Sequence, residues 1–209
     1  MIIQPIVEGQ GDVSAVPVLL RRLCDEAQVW GVEVAKPHRR PRTQLVRKES
    51  LQTAVRVAAL REDCAGILVL FDADDDCPAE LAPTLLEWAR EAAGGKSCVI
   101  VMANREYEAW FLASIEALRG KAGVLPGATS HADPEVPRDA KGELERRMRP
   151  GASYSPTVDQ PAMTARIDLE SAYRRCRSFR KLVSAFGALA AAAGAAPPVW
   201  PPAAWVSAQ

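Results

Sequence analysis

Three groups of acidic residues stand where they could do chemistry. Glu8 directly follows the short apolar run 2–7, and Asp72, Asp74, Asp75 and Asp76 directly follow the apolar run 67–71. Glu106 and Glu108 come just after the apolar run 97–103. Two carboxylates ~4 Å apart repel by ~4 kcal/mol at an effective dielectric of ~20. Several in one crevice must protonate or bind a cation. Oxygen donors without histidine or cysteine suit Mg²⁺ or Mn²⁺ better than zinc, and such ions serve phosphoryl chemistry. A second reading stays open, because acids past strand ends also cap helices: 72–76 could open the helix expected over 80–92. Glu106 and Glu108 could both be first-turn residues favoured by a helix dipole. Of these two, Glu108 is the preferred ligand and Glu106 the alternative.

The elements that must position these acids are legible from periodicity. Val13, Val16, Leu19, Leu20 and Leu23 recur at helical spacing, with Asp12 as the expected N-cap and Pro17 near the first turn. Residues 31–35 read as a second strand, 36–48 as a basic loop and 51–60 as a helix. The continuous apolar run 67–71 is typical of a strand buried on both faces. A helix over 80–92 ends at Gly94-Gly95, a fourth strand spans 97–103, and Tyr107, Trp110, Phe111, Ser114 and Leu118 mark another helix. Strand and helix thus alternate through the first ~120 residues, which predicts a three-layer α/β/α fold around a mainly parallel four-stranded sheet. In such sheets the carboxyl ends of the strands share one edge, where ligands bind. Residues 120–137, rich in glycine and proline, read as a long loop. Helices are expected over 140–148, 163–176 and from 178 to about 192. The expected organisation is therefore a catalytic core over 1–120, a loop and helical extension over 121–192, and a proline-rich tail over 193–209 whose Trp200 and Trp205 need a surface to pack on. Trp88 and Trp110, at helical spacing, read as core.

Composition narrows the function classes. Lysines plus arginines number 26 and so do aspartates plus glutamates, which excludes a uniformly cationic nucleic-acid coat. The basic residues are nevertheless clustered. Lys36, Arg39, Arg40, Arg42, Arg47 and Lys48 fall in a stretch without an acid, as do Arg174, Arg175, Arg177, Arg180 and Lys181; Arg146, Arg147 and Arg149 form a third cluster. Acids alone repel a phosphate backbone, so a nucleic-acid enzyme needs such neighbours. Arg39, Arg40 and Arg42 are the expected clamps in the first cluster. Arg180 and Lys181 are expected near a helix start at Ser178, where N–H groups bind phosphate. The five cysteines contain no C-x-x-C and only two histidines accompany them, so reduced thiols in a cytoplasm are expected. No apolar run approaches the ~20 residues of a membrane span, and the first residues lack the basic start of a secretory signal.

Several familiar motifs are excluded. Gly9-Gln10-Gly11-Asp12-Val13-Ser14 is G-x-G-x-x-S rather than a dinucleotide fingerprint, and Glu8 would repel a pyrophosphate there. No G-x-x-x-x-G-K-[ST] occurs, so the chain is not itself a P-loop ATPase. Asp72-Ala73-Asp74 resembles the start of aspartate-based phosphatases, but Asp76 stands where those carry threonine or valine. No serine has a histidine partner in motif context.

An apolar strand into Glu8-Gly9 and a later strand into Asp72-x-Asp74 resemble the Toprim domain of topoisomerases, primases and OLD-family nucleases. The ordered segments VEGQGD (7–12), LFDADDD (70–76), NREYEAWFLAS (104–114), DAKGEL (139–144), YSPTVDQ (154–160), TARIDLE (164–170) and SFRKL (178–182) resemble a bacterial Toprim-like family, domain of unknown function 4276, over about residues 1–190. The resemblance implies a metal-dependent nuclease that acts on nucleic acid, DNA before RNA. By match of motif, Glu8 takes the general acid/base role, and Asp72 and Asp74 bind Mg²⁺ or Mn²⁺. Asp76 and Glu108 as further ligands and Lys141 as the catalytic lysine complete the expected set. It also implies a partner ATPase in phage defence; a homo-oligomer is a further possibility. The rival expectation is a non-catalytic Toprim-fold regulatory or interaction subunit.

Overall fold

The computed structural model describes residues 1–195 and 197–206. Its sheet is built from β1 (Ile2–Val7), the two-residue strands β2 (Glu33–Val34) and β3 (His38–Arg39), β4 (Cys64–Asp72) and β5 (Ser97–Ala103). All pairings are parallel; the order is β2-β1-β4-β5, with β3 also on β1. The sheet thus has five strands where four were expected. The segment following α1 (Gln10–Glu26) meets β1 twice. Ala35 N–H still donates to Ile3 O at 3.0 Å, but Pro37 has no N–H to continue the ladder. Pairing resumes at His38 opposite Ile6. The stretch expected to be a basic loop therefore contains β3 and a short helix, α2 (Arg42–Leu45).

Alternate residues of each strand feed two cores. Ile3, Val7, Leu68, Leu70, Val101 and Ala103 join one cluster with α1 and the C-terminal helices. Ile6, Ile67, Val69, Phe71, Ile100 and Met102 join a second with α3 (Lys48–Ala59) and α4 (Pro78–Ala92). The period of two is that of a pleated strand buried on both faces. Gly94 and Gly95, both at positive φ, end α4 as a C-terminal glycine signal should.

The sequence predicted one helix after β5. The chain instead makes α5 (Ala109–Ala113) and a 3₁₀ turn, Ile115–Leu118. Beyond the irregular stretch come α6 (Ala140–Glu145), α7 (Pro156–Thr164), α8 (Leu169–Arg175), α9 (Arg177–Ala192) and α10 (Ala203–Val206). α7 begins seven residues ahead of the expected 163–176 helix, and the turn around Ile167 separates it from α8. Residues 197–206 of the proline-rich tail fold back on the rest of the chain. Trp205 is buried, and Trp200 Nε1 donates to Val183 O at 2.7 Å. A Cβ on Gly187 would lie 2.5 Å from the Trp200 ring, so glycine makes room for it. Trp110 is fully buried, and Trp88 packs half-buried against the second cluster. Among the described residues no helix is long and apolar enough to cross a membrane.

Candidate functional site

The fold creates one crevice by topology. α1, which follows β1, packs on one face, whereas α4, which follows β4, packs on the other. The chain therefore diverges between the carboxyl ends of adjacent strands β1 and β4, the position at which open α/β sheets bind ligands. Val7 pairs with Leu70 and Asp72 with Ala103, so Glu8 and Asp72 leave the sheet side by side.

Four carboxylates come together here. Burial raises the pKa of Glu8, helped by the charges of Asp74 and Asp12. Asp72 is pushed well above the usual carboxylate range by burial and then by Glu108, Asp12 and Glu8. Burial holds Glu108, 1% exposed, up to about 7, against the pull of Lys141. Asp12 is raised by burial and drawn down by hydrogen bonds. Lys141 is a cation among them: burial lowers its pKa, but Glu108, Asp72 and Glu106 more than offset that, and the net shift is upward. Its Nζ lies 3.6 Å from Glu106 Oε1 and 4.0 Å from Glu108 Oε2.

Distant segments hold these groups in place. Tyr107 N–H donates to Asp72 Oδ1 at 2.9 Å. Gly9, not Asp12, is the N-cap of α1. Asp12 sits at the third helical position, and its carboxylate accepts the Gly9 N–H at 2.8 Å, the acidic half of a capping box. Helix α1 thus begins earlier than expected, and Pro17 lies about two turns inside it rather than in its first turn. Gln160 of α7 donates to the other Asp12 oxygen at 2.7 Å. A Cβ on Gly11 would fall 2.0 Å from Gln160 Oε1 and 2.6 Å from Pro156 O, so only glycine lets α7 approach this turn. Glu106 accepts the Lys141 backbone N–H at 2.9 Å and so anchors α6, leaving Glu108 as the acid inside the crevice. Tyr154 lies beside Glu108, whose charge adds to burial in raising the phenol.

The remaining expected residues lie at the rim of this group or away from it. Asp74 is exposed, with φ of 50°; its carboxylate lies 3.3 Å from Arg42 Nε. Asp76 is exposed and also pairs with Arg42, where the segment turns as the Ala73 carbonyl accepts the Asp76 N–H at 2.9 Å. Arg42 is thus a counterion of the acidic loop rather than a free clamp. Arg39 Nε donates to Glu8 O at 3.2 Å, and Arg40 bonds the Arg39 carbonyl, which sets both at the rim. Arg180 donates to the carbonyls of Tyr173 and Arg174, and Lys181 is exposed. Neither forms an ion pair with the acidic group among the described residues. The helix start expected to bind phosphate is filled from within. Glu135 accepts the N–H groups of Arg177 and Ser178 at 2.8 and 2.9 Å, and Ser178 Oγ–H at 2.5 Å.

The donor set is oxygen only. Among the described residues, Glu8 Oε2 and Glu108 Oε2 are buried without a hydrogen-bond partner, as carboxylate oxygens short of a cation would be. Among the described residues no three acids, histidines or cysteines are grouped as a ready three-ligand cage. The residues therefore fit a cation that uses one or two carboxylates and keeps its waters, as Mg²⁺ does.

The sequence marks Asp12 only as a helix cap, and it does not single out Tyr154 or Gln160 as site residues. An acid three residues past a helix-opening glycine was the one usable signal, for Asp12; the other two depend on where α7 docks. All five cysteines are free, and Cys77 alone is exposed. No curated protein and no solved structure matches this chain. A family model described as Domain of unknown function (DUF4276) matches residues 7–186, a span that includes every group placed in the crevice. With the model covering most of its length, the chain belongs to the DUF4276 family.

Proposed function

We propose that this protein is a divalent-metal-dependent phosphodiesterase of the Toprim type that hydrolyses nucleic acid. The observation that carries this reading is the meeting of Glu8, Asp12, Asp72 and Glu108 with Lys141 at the β1/β4 switch point. Asp72, paired with either Glu108 from the turn after β5 or Asp74 from the rim, would hold Mg²⁺ or Mn²⁺ through one or two carboxylates. The chemistry an ion held there would supply is polarisation of the phosphoryl oxygen and a lowered pKa of bound water. Glu8, raised by burial, moves a proton nearer neutral pH than an exposed glutamate would. Lys141, held charged by its acidic neighbours, neutralises charge on the phosphate. Arg39 and Arg40 flank Glu8 and steer the backbone toward the crevice.

The test is cleavage of plasmid DNA and labelled DNA and RNA oligonucleotides with Mg²⁺ or Mn²⁺ against EDTA. Asp72→Asn and Glu8→Gln should each lower the rate by about 10²-fold or more. Equal, metal-independent cleavage by all three proteins would defeat the proposal. A second reading, a non-catalytic regulatory subunit, is favoured by one observation: Lys141 already supplies a cation to acids that form no closed cage. Nucleic-acid or ATPase binding without metal-dependent cleavage would support it.

A further inference from the structure

The loop after β4 carries its charges in two unequal halves. On one side Arg42 faces two carboxylates, Asp74 and Asp76, which leaves excess negative charge beside the acidic crevice. On the other side two arginines share one carboxylate. Arg105 Nη1 lies 2.8 Å and Arg138 Nε 3.2 Å from the same oxygen, Asp75 Oδ1, which leaves excess positive charge.

The two arginines come from different segments, the turn after β5 and the end of the long irregular stretch. Arg105 is built into the loop: its Nη1 donates to Asp74 O at 3.0 Å, and its carbonyl accepts the Asp74 N–H at 3.0 Å. Both residues are left-handed, Asp74 at φ 50° and Arg105 at φ 62°. For non-glycine residues that conformation is uncommon and concentrates at functional sites. Arg138 is held differently. Its side chain is 77% exposed, and so is 70% of Asp75. An exposed pair of this kind contributes about 0–1 kcal/mol, so Asp75 is easily displaced.

We propose that Arg105 and Arg138 form a binding site for a backbone phosphate of the nucleic-acid substrate, and that the Asp75 carboxylate occupies it in the free protein. The inference rests on the nuclease reading above. A phosphodiester offers two non-bridging oxygens where Asp75 offers one shared oxygen, and arginine forks match that geometry. Asp75 adjoins Asp74 in the chain, so a phosphate held here lies at the rim of the crevice, with its neighbour along the strand available to the acids. Arg138 also ties the end of the irregular stretch to this loop, which gives the exposed arginine a role beyond a solvated surface charge.

Fluorescence anisotropy of a labelled oligonucleotide with the full chain in EDTA separates binding from cleavage. Asp75→Asn removes the competing charge and should tighten binding by roughly 5-fold. Arg138→Ala should weaken it by a similar factor and reduce the salt slope by about 1. A purely structural latch predicts the opposite sign for Asp75→Asn, because losing the ion pair would loosen the loop. Binding by Asp75→Asn equal to or weaker than wild type therefore overturns the inference, and circular dichroism verifies that both variants fold. Wild-type binding with both variants unchanged removes this site and leaves the nuclease reading standing. A wild-type protein that neither binds nor cuts any oligonucleotide removes both.

Discussion

Glu108→Gln should stabilise the metal-free protein at alkaline pH, although it alters one of the most buried polar residues in the chain. Glu108 is 1% exposed, its Oε2 has no hydrogen-bond partner among the described residues, and burial raises its carboxyl from 4.5 to about 7. A carboxyl with a raised native pKa binds its proton more tightly in the folded state. It costs nothing below the unfolded value, and its penalty grows as pH rises from about 4.5 to about 7. At 1.36 kcal/mol per pKa unit the full penalty is about 3 kcal/mol. For a chain of this size that is roughly 6–12 °C in Tm. Glutamine keeps the shape and removes the charge, so the difference between variant and wild type reports this carboxyl together with the relief of Asp72, which its charge helps to raise. The assay is urea or thermal unfolding in EDTA at pH 5 and pH 8. The variant should match wild type within about 1 kcal/mol at pH 5 and exceed it by about 3 kcal/mol at pH 8. Saturating Mg²⁺ should stabilise wild type in proportion to its binding and narrow the gap. A variant less stable than wild type at pH 8 would refute the reasoning, since the Lys141 pairing would then outweigh the cost of burying the charge.

Gly11→Ala places a methyl 2.0 Å from Gln160 Oε1 and 2.6 Å from the Pro156 carbonyl. The backbone partner cannot rotate away, so urea unfolding should show a loss of about 1–3 kcal/mol. Glu135→Gln exchanges the carboxylate that receives the first two N–H groups of α9 and the Ser178 hydroxyl; it should cost about 1–2 kcal/mol by the same measurement.

Much of the architecture is legible along the chain because its cause is local. The strands β1, β4 and β5 are apolar runs buried on both faces, and the helices between them carry apolar stripes at helical spacing. That alternation leads to a parallel sheet with covered faces. What the periodicity missed was set by pairing rather than by composition. His38 and Arg39 have no strand pattern of their own; they pair because β1 offers a free edge beside them. The tail reads as extended from its prolines, but it packs because Gly187 leaves a gap for Trp200.

The candidate site divides along the same line. An acid after each of three parallel strands must reach one edge, because parallel strands all end on the same side; Glu8, Asp72 and one of Glu106 and Glu108 are therefore implied by order in the chain. Only the tertiary structure decided which charges share an environment. Asp76 turned toward Arg42, Glu106 was taken by the Lys141 amide, and Glu135 filled the helix start that basic residues had marked for phosphate. Gln160 reached Asp12 from 148 positions away. Linear order constrains where a side chain leaves the sheet. Which partner it meets depends on how segments remote in the chain pack against one another, and a single sequence carries no local signature of that.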